Sequence, residues 1–89
     1  MNTTWRKLLV SKMLWKKESF DDIESSTLTE AELDTEFDNG YGGSEGVPFT
    51  VWTKNYVYFP AVYDGAEWVS CVPRNPNGHA TDHVGGGTI

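Results

Sequence analysis

Residues 48–53, 56–63 and 66–73 are three runs of strand-forming residues, separated by Lys54-Asn55 and Asp64-Gly65. Two-residue spacers force neighbouring strands antiparallel, and Asp-Gly is a preferred pair for such a turn. The second half of the chain is therefore expected to be a three-stranded antiparallel meander. With both turns at two residues, strict alternation puts Trp52, Val57, Phe59, Ala61, Trp68 and Val72 on one face. Phe49, Val51, Tyr56, Tyr58, Val62, Val69 and Cys71 share the other. Pro60 cannot donate to a ladder, so a bulge is expected in the middle strand.

The first half has a different period. Residues 4–17 carry no Gly or Pro, and Thr3 or Thr4 is placed to cap a helix there. Trp5, Leu8 and Leu9 share its apolar side, and its lysines gather toward the C-terminal end, where the helix dipole favours them. Ser19 is placed to cap a further short turn, with Phe20 and Ile23 as anchors, and Glu24-Ser25-Ser26-Thr27 reads as a loop. Thr29-Glu30-Ala31-Glu32 is a capping box, and Leu28 and Leu33 stand at the spacing of a hydrophobic staple. A helix over 30–37 is predicted, with Leu33 and Phe37 inward. Four glycines within 40–46 make a loop.

The expected fold is α+β, with short N-terminal helices packed on a three-stranded meander. At 89 residues the chain is one domain, with a helical part at 1–38, a glycine-rich loop at 39–47, the sheet at 48–74 and a loose tail at 75–89. So short a chain buries only about 60–65% of its unfolded surface. Its core must lean on aromatic residues, and Trp5, Trp15, Trp52, Trp68, Phe49 and Phe59 are the candidates.

Charge is divided along the chain. Arg6, Lys7, Lys12, Lys16 and Lys17 stand in the first seventeen residues with no acid, whereas 18–45 hold ten acids and no base. The formal net charge of −6 argues against direct nucleic-acid or anionic-membrane binding. It suits a partner with a basic surface. Cys71 is alone, which fits a reducing compartment. With no signal-like apolar segment and no stretch near the ~20 apolar residues that span a bilayer, the expected location is the cytoplasm.

Motifs for chemistry are sparse. Asp34, Glu36, Asp38 and Glu45 match positions of a calcium loop, but Asn39 stands where glycine belongs and no helix follows. His79, Asp82 and His83 would need a helix to face one metal, and glycines flank them. Cys71 would need a base such as His79 or His83. The glycine loop lacks the lysine and the helix of a phosphate loop. Hence no catalytic residue, metal site or cofactor is assigned. The binding candidates are the carboxylates Glu30, Glu32, Asp34, Glu36 and Asp38, with Tyr41, Tyr56 and Tyr58 as phenolic contacts on a partly wet sheet face.

Phe37-Asp38-Asn39-Gly40-Tyr41-Gly42-Gly43, Pro48-Phe49-Thr50-Val51-Trp52-Thr53, Val57-Tyr58-Phe59-Pro60 and Tyr63-Asp64-Gly65-Ala66-Glu67-Trp68-Val69 resemble small accessory proteins of tailed bacteriophages and prophages, over roughly residues 28–87. The resemblance implies a phage context without an activity. By analogy of size and charge, such proteins include inhibitors of host machinery, the anti-CRISPR class among them. The expectation is a non-enzymatic inhibitor in the host cytoplasm that occludes a basic surface on a bacterial nucleic-acid-handling complex. The alternatives are a metal- or thiol-dependent enzyme using Cys71, His79 and His83, and a structural phage subunit that forms a homo-oligomer.

Overall fold

A computed structural model describes residues 2–40 and 45–85. The fold is α+β. In chain order the described residues form β1 (Asn2–Thr3), α1 (Trp5–Trp15), a 3-10 turn (Phe20–Asp22), β2 (Ile23–Ser26), α2 (Glu30–Asp34), β3 (Phe37–Asp38), β4 (Val51–Thr53), β5 (Tyr56–Tyr63) and β6 (Ala66–Pro73). β1 and β3 pair as a small antiparallel ribbon, and the main sheet runs β2-β4-β5-β6, antiparallel throughout.

The local signals for the helices hold. Thr4 caps α1, its hydroxyl accepting from the Lys7 amide at 3.2 Å. The Thr29–Glu32 box closes in both directions, and at the 3-10 turn the Asp22 carboxylate accepts from the Ser19 amide at 2.8 Å. α2, however, stops at Asp34 rather than continuing to 37. Thr35 turns extended, and its hydroxyl donates to the Ala31 carbonyl at 2.7 Å, closing the last turn. The chain then delivers Phe37 to β3, where the ring meets Trp5 at 4.7 Å between centroids.

The three-stranded meander needs two corrections. A fourth strand, β2, lies where a loop was expected, and β4 begins at Val51 rather than at Pro48. Serine is a weak strand former, so tertiary pairing with β4 outweighs local preference in β2. Both tight turns are where the spacing predicts. Asp64 and Gly65 have φ of 51° and 83°, the left-handed pair of a type I′ turn. The expected bulge at Pro60 is absent, and β5 and β6 pair without a shift from Tyr56↔Pro73 to Tyr63↔Ala66. Arg74 donates its amide to the Asn55 carbonyl. Antiparallel alternation then points residues 56, 58 and 60 of β5 toward β4. β4 pairs only as far as Val51↔Tyr58, so Pro60 lacks its N–H where there is no partner to receive one.

Face assignment by alternation is right, but the covered face is the tyrosine-bearing one. α1 lays Trp5, Leu9 and Met13 against Val51, Tyr58 and Val69, and all six are buried. Trp52, Val57, Phe59, Trp68 and Val72 are half-buried on the opposite side. Of the six aromatic core candidates, only Trp5 and Phe49 are buried in the core, and Trp15 is 82% exposed.

Gly46 closes the core over Trp5. A Cβ there would lie 2.5 Å from Cζ2 of the Trp5 ring and 3.0 Å from Cζ of Phe37. Both rings are fixed in the core and cannot swing aside. Gly46→Ala is expected to cost ~1–3 kcal/mol by overpacking, measured as a lower urea midpoint. An unchanged midpoint would show that the loop shifts freely away from Trp5.

Candidate partner-binding surfaces

The expected acidic site is present as a ridge, but much of its charge is engaged within the fold. Arg6 on α1 donates to Asp34 at 2.7 Å and to Glu30 at 2.6 Å, both exposed. Those hydrogen bonds raise the Arg6 pKa and hold the Asp34 carboxyl below its ordinary value. Glu32 accepts from the Thr29 amide in the capping box. Asp38 accepts from the Gly40 amide at 3.0 Å, which also lowers its pKa. Glu30 and Asp34 thus anchor α2 to α1, while Glu32 and Asp38 close local turns.

Three acids gather around a small hollow, two of them also held by main-chain amides: Glu32 by Thr29 and Glu45 by Asp38, the latter at 3.4 Å. Glu32, Glu36 and Glu45 stand about a cavity of about 90 Å³ whose lining includes Trp5, Phe37 and Gly46. Three carboxylates around a small hollow suit the tip of a cationic side chain, through charge. Glu45 belongs to this group and was missed, because its place depends on a loop whose path cannot be read from spacing.

Of the described tyrosines, Tyr58 does not contribute to the expected surface and Tyr56 does so only in part. Tyr58 is fully buried, and its hydroxyl donates to Glu18 at 2.6 Å. Burial, then the Glu18 carboxylate, raises its pKa. Tyr56 is half-buried, 6.2 Å from the Tyr58 ring, with the Lys16 ammonium 5.3 Å above its own. Tyr41 lies outside the described residues.

Two further acids are internal. Glu18 accepts from Tyr58, from the Thr53 hydroxyl at 3.0 Å and from Asn55 Nδ2 at 3.4 Å. Glu67 is buried, and its carboxylate accepts from the amides of Glu45 at 2.8 Å and Gly46 at 3.1 Å. The signal for Glu67 was available, since it shares strand parity with Val69 and Cys71 on the covered face. Glu18 gave no signal, being the first residue after a run of lysines.

Among the described residues, Cys71, His79 and His83 do not converge into one cluster. Cys71 is half-buried in β6, and desolvation pushes its thiol pKa up, against weaker opposite pulls from Lys16 and Lys12. This is the reverse of an activated thiolate. His79 and His83 lie exposed in a non-helical segment, where His83 Nδ1 is 3.6 Å from Asp82. Asp34 and Asp38, two of the calcium-loop residues, are tied to Arg6 and to Gly40. Among the described residues no three His, Cys, Asp or Glu side chains converge as metal ligands, and no helix is long and apolar enough to cross a membrane. No family model, curated protein or solved structure matches the chain.

Proposed function

We propose that the chain is a non-catalytic binding protein that inhibits by covering a basic surface on a bacterial nucleic-acid-handling protein. The hollow edged by Glu32, Glu36 and Glu45 is the observation that carries this reading. It offers a lysine or arginine of the partner a concave, charged seat, while the rest of the ridge adds long-range attraction. The phage-like resemblance of residues 28–87 supplies the context, an inhibitor of host defence such as a CRISPR complex, acting in the host cytoplasm. The raised thiol pKa of Cys71 favours this reading over the thiol-enzyme alternative, which needs an activated thiolate.

The test uses substitutions that spare the fold. Glu32→Gln keeps the capping box, because glutamine serves at that position. Glu36→Lys reverses a charge on the edge of the hollow. Together they are expected to weaken binding to the captured partner at least tenfold at low salt and to flatten its salt dependence. The captured protein is expected to lose DNA or RNA binding when the wild-type chain is added. Unchanged affinity of the double variant, or a partner that binds nucleic acid and this chain at once, would refute the proposal.

A further inference from the structure

The outer face of α1 has another character. Its inner stripe, Trp5, Leu9 and Met13, is buried in the core. A helix on the surface of so small a domain should turn polar on its other side. α1 does not: Val10 is 43% exposed, Leu14 69% and Trp15 82%. Val10 and Leu14 stand one turn apart on the same line, with Trp15 next to them. A helix apolar on both sides is normally covered on both, and clustered exposed apolar side chains mark an interaction surface.

The surroundings of this patch are basic. Lys7 and Lys17, both exposed, stand at its two ends. Trp15 separates two open hollows. One lies between α1 and β6 and is lined by Leu8, Ser11, Lys12 and Lys16 among others, and the second by Ser11, Leu14 and Lys17. Among the described residues no carboxylate lines either of them, in a chain of net charge −6. Lys17 carries an independent mark. Its φ is 60°, in the left-handed region. The Lys17 and Glu18 amides donate to the Leu14 and Met13 carbonyls at 3.0 and 2.8 Å, a helix ending in which glycine is the usual residue at this place. A side chain there costs stability, so the fold alone does not account for the lysine. Its ammonium is set beside the Leu14–Trp15 hollow instead.

We infer that the outer face of α1 docks an acidic amphipathic helix of a partner protein. Lys7, Lys12, Lys16 and Lys17, with no acid in the first seventeen residues, call for carboxylates on the other side. The eleven residues of α1 span ~16 Å, which matches about three turns of a partner helix. Apolar side chains of that helix enter the hollows on either side of Trp15, ridge into groove. A second copy using the same face would bring lysines against lysines, and α2, the acidic helix of this chain, has no large apolar residue exposed. An anionic lipid surface would meet the repulsion of the whole chain's net charge. The inference stands apart from the acidic hollow proposed above, which takes a cation of its partner.

The probe is a displayed library of eighteen-residue peptides with a fixed helical apolar stripe, every other position being drawn from Glu, Lys, Gln and Ser. Selection on the chain is expected to enrich glutamate beside the stripe, and the best binder should weaken at least tenfold as salt is raised. Its binding should shift tryptophan emission to the blue. Trp15→Phe should abolish most of that shift while losing less affinity than Trp15→Ser. Leu14→Ser/Trp15→Ser should lose at least tenfold in affinity with the urea midpoint unchanged or higher, because neither side chain is held in the core. Lys17→Gly should raise the midpoint and still weaken the binder. A library without enrichment, enrichment of basic or uncharged peptides, or full affinity in Leu14→Ser/Trp15→Ser or in Lys17→Gly would overturn the inference. So would a chain that collects on vesicles of phosphatidylserine and phosphatidylcholine, or that dimerises, where Leu14→Ser/Trp15→Ser abolishes either behaviour, since lipid or a second copy would then cover this face.

Discussion

Trp5→Ala is expected to lower the stability of the fold by ~3–5 kcal/mol, the range for truncating a large buried aromatic. A domain of this length is held by only ~0.05–0.15 kcal/mol per residue, so the variant should be largely unfolded at physiological temperature. The size of the effect follows from how many elements meet at one ring. Trp5 is 1% exposed, and its centroid lies 4.7 Å from those of both Phe37 and Phe49. Its indole Nε1–H donates to the Val47 carbonyl at 3.0 Å, so it fastens the start of α1 to the segment entering the sheet. Trp15→Ala is the control, being the same residue type in the same helix but 82% exposed. It should shift the urea midpoint little. Equal shifts for the two variants would mean that α1 does not pack as described.

That contrast also shows what could be read in advance. Trp5, Leu9 and Met13 recur every fourth residue and mark the buried stripe of α1, while Trp15 lies off it. Counting tryptophans as core, without asking which lie on the stripe, placed Trp15 wrongly. Capping boxes and tight turns were legible because each is decided within four residues: Thr29 and Glu32 satisfy one another, and Asp64-Gly65 takes left-handed angles whatever surrounds it. Strand faces were legible for the same reason, since alternation is local. Which face is covered is decided by where α1 docks, through contacts separated by tens of residues, and no local pattern encodes it. β2 escaped notice on like grounds, because Ser25 and Ser26 become a strand only against Trp52 and Val51.

The candidate site was half legible. The acidic ridge could be foreseen from residue counts. The engagement of Glu30 and Asp34 by Arg6, across a sequence gap of more than twenty residues, could not. Nor could the recruitment of Glu45 to the hollow. Charge density along a chain indicates how much field a surface produces, but not which carboxylates are already satisfied. This difference matters for mutagenesis: reversing Asp34 would disturb the α1–α2 contact, whereas reversing Glu36 probes the surface itself.

The second large effect is expected at Glu18. Its carboxylate is the buried acceptor for the Tyr58 hydroxyl at 2.6 Å and for the Thr53 hydroxyl at 3.0 Å, and it ties the end of α1 to the β4–β5 turn. Glu18→Ala leaves the Tyr58 hydroxyl in the core without its acceptor, a penalty of ~1–3 kcal/mol. The lost packing adds to this, so ~2–4 kcal/mol in all is expected by urea denaturation. Glu18→Gln retains a carbonyl for Tyr58 and should cost less. Tyr58→Phe in the Glu18→Ala background removes the stranded hydroxyl, so the double variant should be more stable than the sum of the single effects predicts. The same pair contributes to the alkaline limit of the fold. The Tyr58 pKa is raised by burial and then by Glu18, so the folded chain keeps a proton that the unfolded chain releases near pH ~10. The contribution is complete below that pH and declines as pH rises past it, by up to ~1.4 kcal/mol per unit. Stability measured from pH 8 to 11 should therefore fall less steeply in Tyr58→Phe than in wild type. Strict additivity in the double variant, together with identical alkaline slopes, would show that Glu18 and Tyr58 are not coupled and that the end of α1 is held by apolar packing alone.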